Sequence, residues 1–324
     1  MSLFVSVVIL IVGFALLTKG ADYFIENSAS LAEEKGISPH VVGVTIVAFG
    51  TSLPELLVSL LSTYMGYSDL ALGNIVGSNI SNIGLVLALS TFIFHYFLKQ
   101  NITPDNDANN DSYVMLVAVL LLLLFSKDNM ISKGEGVFFF VLYIFYILWL
   151  FKRTDTSISI VRDSDIEEQI LAVKMGLTDG KTSYSFLLGG LFALLLGAQL
   201  TVDSAVEIAI SIGISEIVVG LSVVAVGTSL PELAGTVSAA RLGHKEIAVG
   251  NVIGSNIANI FLVMGLLAAI NPIEVEAAVV QGTLPLLIFL TIATFGLIRI
   301  PMSRFSGLIL FAFFTLFVYQ LTLI

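Results

Sequence analysis

The chain is 324 residues long, 57% hydrophobic and 12% charged, with a formal net charge of −10 and a mean hydropathy of +1.00. Soluble domains carry roughly 25% charged residues, which excludes a fold that faces water over most of its surface. The absence of cysteine excludes disulfides, thiolate metal centres and cysteine nucleophiles.

Apolar runs of membrane-spanning length recur from end to end, too long for barrel strands, which need only about 9–11 alternating residues. They predict an all-α integral membrane protein of ten transmembrane helices, at 2–26, 39–65, 69–95, 112–126, 135–151, 185–208, 216–240, 246–271, 276–298 and 304–323. The first run lacks a basic n-region and is expected to stay as a helix rather than act as a cleaved signal. The division is a first five-helix repeat at 1–151, a polar linker at 152–184 and a second repeat at 185–324. Within the linker, 165–177 fits a short amphipathic surface helix. Asp105, Asp107, Asp111 and the acids of 155–168 read as solvated loop charges. His40, His95 and His244, at helix ends or in loops, read as surface residues.

Basic residues orient the chain. With the N-terminus outside, the inside loops hold eleven Lys and Arg, from Lys35 to Arg304, against Lys127 and Lys133 outside. Both termini are therefore expected outside and the 152–184 linker in the cytoplasm, in a multi-pass protein of the cell membrane. An odd number of helices per repeat makes the second half enter from the opposite side, giving an inverted repeat about an axis in the membrane plane.

The duplication is legible residue by residue. VAFGTSLPEL at 47–56 returns as VAVGTSLPEL at 224–233, displaced by 177 and identical at nine of ten positions. GNIVGSNISNI at 73–83 returns as GNVIGSNIANI at 250–260, identical at eight of eleven. The two repeat cores span 40–90 and 217–267. Gly20-Ala21 and Gly197-Ala198 keep the same register.

The repeated segments carry the chemistry. Pro54 and Pro231 each interrupt an apolar helix and free backbone carbonyls, which at membrane depth need protein, water or an ion to satisfy them. Thr51, Ser52 and Glu55 stand at spacings that can share one helix face, as do Thr228, Ser229 and Glu232. A carboxylate at the bilayer centre costs about 2.5 kcal/mol or more, and no Lys or Arg lies in these helix cores. Each acid is therefore either protonated or compensated by a mobile cation, and in the second case the cation is a substrate. Asn74, Ser78 and Asn82 form a polar stripe at i, i+4, i+8, repeated by Asn251, Ser255 and Asn259, suited to completing an oxygen shell. Asn79 and Asn256, off the stripe, read as polar glue between helices. Oxygens without imidazole or sulfur suit Ca²⁺, which takes about 6–8 of them, or Na⁺, rather than zinc or copper. No His or Lys lies in these helix cores to activate Ser52 or Ser229, and Glu alone is a weak case, so an enzyme is not expected. The inverted duplication favours a transporter over a channel.

At these motifs the chain resembles the cation/calcium exchanger superfamily, and most closely its prokaryotic sodium/calcium exchangers. The resemblance implies a ten-helix antiporter in which Na⁺ entry drives Ca²⁺ extrusion, three Na⁺ per Ca²⁺, with the first and sixth helices sliding as gates. The ligands it implies are Glu55, Glu232, Thr51, Ser52, Thr228, Ser229, Ser78, Asn82, Ser255 and Asn259, with the carbonyls of Ala48 and Ala225. Some prokaryotic and potassium-dependent relatives carry Asp where Asn259 stands, so the site here has one fewer ionisable group and K⁺ co-transport is not expected. The proton/calcium branch, with an acid where Ser78 and Ser255 stand, is the alternative. No cofactor, nucleic acid or obligate protein partner is expected; the partners are the lipid bilayer and inorganic cations.

Overall fold

A computed structural model describes residues 3–65, 68–161, 183–212, 227–277 and 279–321. Its regular structure is helical apart from a two-residue β pair, in which Met130 faces Glu274 and Ile131 faces Ile273, and one isolated bridge between Ile102 and Met302. In chain order the helices are α1 (Leu3–Lys35), α2 (Pro39–Thr51), α3 (Leu53–Tyr64), α4 (Leu70–Tyr96), α5 (Asn106–Phe125) and α6 (Lys133–Val161). After the linker come α7 (Tyr184–Ser211), α8 (Leu230–Leu242), α9 (Lys245–Ile270), α10 (Val279–Leu297) and α11 (Arg304–Leu321).

Seven of these helices are long and apolar enough to cross a membrane, and the bent pair α2–α3 makes an eighth. Helix α11 is apolar but shorter. Helix α8 is the described part of the predicted seventh span, because 213–226 fall outside the described residues. Most of the predicted linker, including 165–177, also falls outside them.

Two predicted boundaries move for identifiable reasons. Helix α1 continues to Lys35, its last turns burying Ser28, Ala29, Leu31 and Ala32 while Glu33 and Glu34 stay exposed. Helix α5 starts at Asn106 because the Asp105 carboxylate accepts the Ala108 N–H at 2.7 Å, an N-cap that satisfies an orphan donor.

The centre of the molecule is the pair α4 and α9, almost wholly enclosed by the other helices. Helix α2, from the first repeat, lies against α9 from the second, with backbones almost touching: a Cβ at Gly250 would stand 2.6 Å from the His40 carbonyl.

Outside this core, α1 and α7 run antiparallel along each other for most of their length. Their seam is glycine-lined. A Cβ at Gly190 would meet the Phe24 nitrogen at 2.7 Å, and one at Gly197 would meet the Gly13 carbonyl at 2.7 Å. Gly13 and Gly20 on α1 are displaced by 177 from Gly190 and Gly197 on α7, so the seam is built from equivalent residues. Asp22, half-buried on α1, accepts from Ser238 Oγ at 2.7 Å and pairs with Arg241, tying α1 to α8.

The acids of the α5 N-terminus correct one expectation. Asp111 is fully buried, 2.8 Å from Nε2 of an equally buried His40 and 3.3 Å from the Arg153 guanidinium. Arg153 also pairs with Asp107 at 3.2 Å and lies over the Trp149 ring. Asp111 and His40 are therefore not surface residues: α5 packs its first turns inward against α2 and α6, and burying a charge is tolerable because a partner comes with it. His95 and His244 are half-buried at helix termini.

Two stability outcomes follow. Gly197→Val should lower the thermal unfolding temperature in detergent by the equivalent of about 1–3 kcal/mol of overpacking, whereas Gly189→Val, whose Cβ position is open, should leave it unchanged. Asp111→Ala, which strands Arg153 and His40, should be more damaging than Gly197→Val, at about 3–5 kcal/mol, in the same melting assay.

Candidate cation site

The site forms where the two copies of GTSLPE break their helices. Helix α2 ends at Thr51 and α3 begins at Leu53, bent by 44°, with Ser52 between them at φ −83°, ψ 8°. Ser229 stands at φ −85°, ψ 8°. Pro54 and Pro231 fall in the first turns of α3 and α8, where a missing N–H costs nothing. The chain therefore makes two helices rather than one kinked helix. Each Glu sits in the first turn of the second helix, at the favourable end of its dipole.

The hydroxyls beside the break reach across to the other repeat. Ser52 Oγ donates to Glu232 Oε1 at 2.8 Å, and Thr51 Oγ1 donates to Asn251 Oδ1 at 3.1 Å. Thr228 Oγ1 donates to Asn74 Oδ1 at 3.3 Å, the equivalent bond from the second copy. Ser78 Oγ lies 3.4 Å from both Glu55 Oε1 and Thr228 Oγ1. Glu55, Glu232, Thr51, Ser52, Ser78 and Ser229 are all buried.

The polar stripes end in a backbone irregularity. Asn82 and Asn259, 177 residues apart, each open a π-helical stretch, Asn82–Leu87 and Asn259–Met264, a feature that often marks functional sites. Asn259 Nδ2 donates to Asn79 Oδ1 at 3.0 Å, and Asn79 Nδ2 to the Asn256 carbonyl at 3.3 Å, joining α4 to α9. Ser255 Oγ turns to the Ala48 carbonyl at 3.5 Å, which also accepts the Ser52 N–H at 3.0 Å. Ala225 lies outside the described residues.

Several buried atoms here have no hydrogen-bond partner: Glu55 Oε2, Glu232 Oε2, Ser229 Oγ, both amide atoms of Asn82, and Asn259 Oδ1. More than nine in ten buried polar groups are normally satisfied. Five of the six atoms are oxygens, and among the described residues neither carboxylate has a Lys or Arg within ion-pair distance. Such a set can accept a hard cation that supplies the missing charge.

Two residues escaped the sequence reading. Ser59 and Thr236, the fourth residue after each Glu and again 177 apart, hold the amides of Asn74 and Asn251 at 3.0 and 2.8 Å. The recurrence of a hydroxyl at matched positions is the signal that marks them.

An all-helical membrane protein with two acids sealed in its middle belongs to the class that handles ions inside the bilayer. The chain is a member of the sodium/calcium exchanger family: the family described as Sodium/calcium exchanger protein matches residues 5–152 and 182–323. It is 32% identical over 346 residues to the sodium/calcium exchanger MaX1 of Methanosarcina acetivorans, covering 97% of each chain. It is 34% identical to the inner membrane protein YrbG of Escherichia coli, over 83% of this chain and 81% of that one. Among solved structures, the sodium-calcium exchanger NCX_Mj soaked with 10 mM Na⁺ and zero Ca²⁺ superposes with a TM-score of 0.81 at 29% identity, covering 98% of this chain and 99% of that one.

The two half-sites are not equivalent, because Ser52 has a carboxylate partner and Ser229 has none. In ion-free detergent, Ser52→Ala should lower the unfolding temperature by the equivalent of about 1.5–3 kcal/mol for a hydrogen bond to a charged group, while Ser229→Ala should change it little. Equal losses in the two melting curves would contradict this asymmetry.

Proposed function

We propose that the protein is a secondary antiporter that exchanges Na⁺ for Ca²⁺ by alternating access, with Na⁺ influx driving Ca²⁺ extrusion. The observation that carries this reading is the pair of buried carboxylates, one from each copy, each bonded to a hydroxyl and left with an unpartnered oxygen and, among the described residues, no Lys or Arg within ion-pair distance. Two negative charges balance one Ca²⁺ or a pair of monovalent ions, so the two cargoes compete for the same oxygens. The doubly charged site without a cation is a poor species to carry across the membrane, which couples the two fluxes.

In this reading the ligands are Glu55 and Glu232 with Thr51, Ser52, Thr228, Ser229, Ser78, Asn82, Ser255 and Asn259, and the carbonyls of Ala48 and Ala225. The architecture is ten spans in two inverted repeats, an arrangement supported by the matched kinks at Ser52 and Ser229 and by the antiparallel pairing of α1 with α7. Lys and Arg bias places both termini outside and the linker in the cytoplasm of the cell that bears it. Three Na⁺ per Ca²⁺, the ratio the resemblance implies, makes transport electrogenic, and it is independent of K⁺ because Asn259 adds no third acid to the site.

Vesicles reconstituted with the protein should take up ⁴⁵Ca²⁺ when loaded with Na⁺, with or without K⁺. Uptake driven only by an outward H⁺ gradient would move the protein to the proton-coupled branch, and a strict K⁺ requirement would overturn the inference from Asn259. Glu55→Gln and Glu232→Gln should each reduce exchange to background in folded protein.

A further inference from the structure

We propose that Asn74 and Asn251 are positioning residues that set the polarity of the threonine hydroxyls facing the cation site. The inference rests on the reading of Thr51 and Thr228 as cation ligands. A hydroxyl carries one proton and two lone pairs. It serves a cation only when its O–H points elsewhere, so each liganding threonine needs a fixed proton acceptor behind it.

The two asparagines supply that acceptor, and their orientation is forced. Asn251 is fully buried. Its Nδ2 lies 2.8 Å from Thr236 Oγ1 and 3.4 Å from the backbone carbonyl of Glu232. A carbonyl can only accept, so the amide nitrogen must face it and Oδ1 must face the other way. There it meets Thr51 Oγ1 at 3.1 Å, which can only donate to it. The competing acceptors for that proton are the Ala48 carbonyl, farther at 3.3 Å, and the nearby Glu232 carboxylate, and Oδ1 of Asn251 is the nearer of the two hydrogen-bonded oxygens.

Asn74 repeats the arrangement in the other repeat. Its Nδ2 donates to Ser59 Oγ at 3.0 Å and to the Glu55 carbonyl at 3.3 Å, and its Oδ1 takes the Thr228 proton at 3.3 Å. Each amide is therefore oriented by protein groups, with its nitrogen on two acceptors and its oxygen on the threonine hydroxyl. It acts through the threonine. Each also joins the backbone of the glutamate in one copy to the threonine of the other, so the ligands of opposite repeats are held in one register.

The test uses the full chain in proteoliposomes, comparing Asn251→Leu, Thr51→Val, the double variant, and Thr236→Val. The last keeps the amide and the side-chain volume but removes its anchor, and so serves if Asn251→Leu does not fold. Na⁺-driven ⁴⁵Ca²⁺ uptake gives KM and maximal rate, and Ca²⁺-dependent melting in detergent gives binding without transport. Loss of one hydrogen bond should raise the Ca²⁺ KM and the half-stabilising Ca²⁺ concentration about tenfold in Asn251→Leu and in Thr51→Val. Thr236→Val should shift both in the same direction by less, with the maximal rate retained. The double variant should be no worse than Thr51→Val alone, because the amide has no other route to the ion.

Additive losses in the double variant, or an unchanged KM in both Asn251→Leu and Thr236→Val beside an impaired Thr51→Val, would overturn the positioning role and leave the antiporter reading standing. A normal KM in Thr51→Val would remove that threonine as a ligand and the inference with it.

Discussion

Two carboxylates buried at membrane depth without a basic partner are the constraint around which the molecule is arranged. Hydrocarbon offers a carboxylate no solvation, and elsewhere this same chain meets that problem with protein cations. Asp111 has Arg153 and His40, and Asp22 has Arg241. Among the described residues, Glu55 and Glu232 have hydroxyl partners, Ser78 and Ser52, and no Lys or Arg within ion-pair distance. The contrast between the two treatments, in one protein, separates acids that hold the fold together from acids kept available for something that comes and goes.

The broken helices make this arrangement buildable. Helix α2 ends at Thr51 and α3 begins at Leu53, and beside this break Thr51 and Ser52 bond to Asn251 and Glu232 of the opposite repeat, so the two halves share a single polar centre. Close packing at Gly250 and Gly254 brings α9 near enough to α2 for short side chains to reach. Proline placement, helix crossing and polar network are thus parts of one solution.

What could be read from the sequence was whatever repeats or follows a local rule. The 177-residue displacement pointed to Glu55 with Glu232, to Pro54 with Pro231 and to the glycine pair at 20 and 197. Run length marked nearly every helix. What could not be read depends on which surfaces meet in three dimensions. Asp111 looks like any loop acid until α5 is packed against α2 and α6. Helix spacing allows Thr51, Ser52 and Glu55 to share a face, but it does not say which groups of the other repeat the hydroxyls meet, Asn251 and Glu232. Asn74 and Asn251 stood out as polar positions, but their partners Ser59 and Thr236 become visible only once the amides are placed.

The glycine seam between α1 and α7 has a mechanical consequence. Helices held backbone against backbone at four glycines, with the Tyr23 and Phe186 rings stacked beside the seam, have little room to slide or splay past one another. Because the seam's two members are equivalent residues running in opposite directions, each repeat meets the other through the same small surface, and any motion that alternating access requires of the pair moves both helices as one.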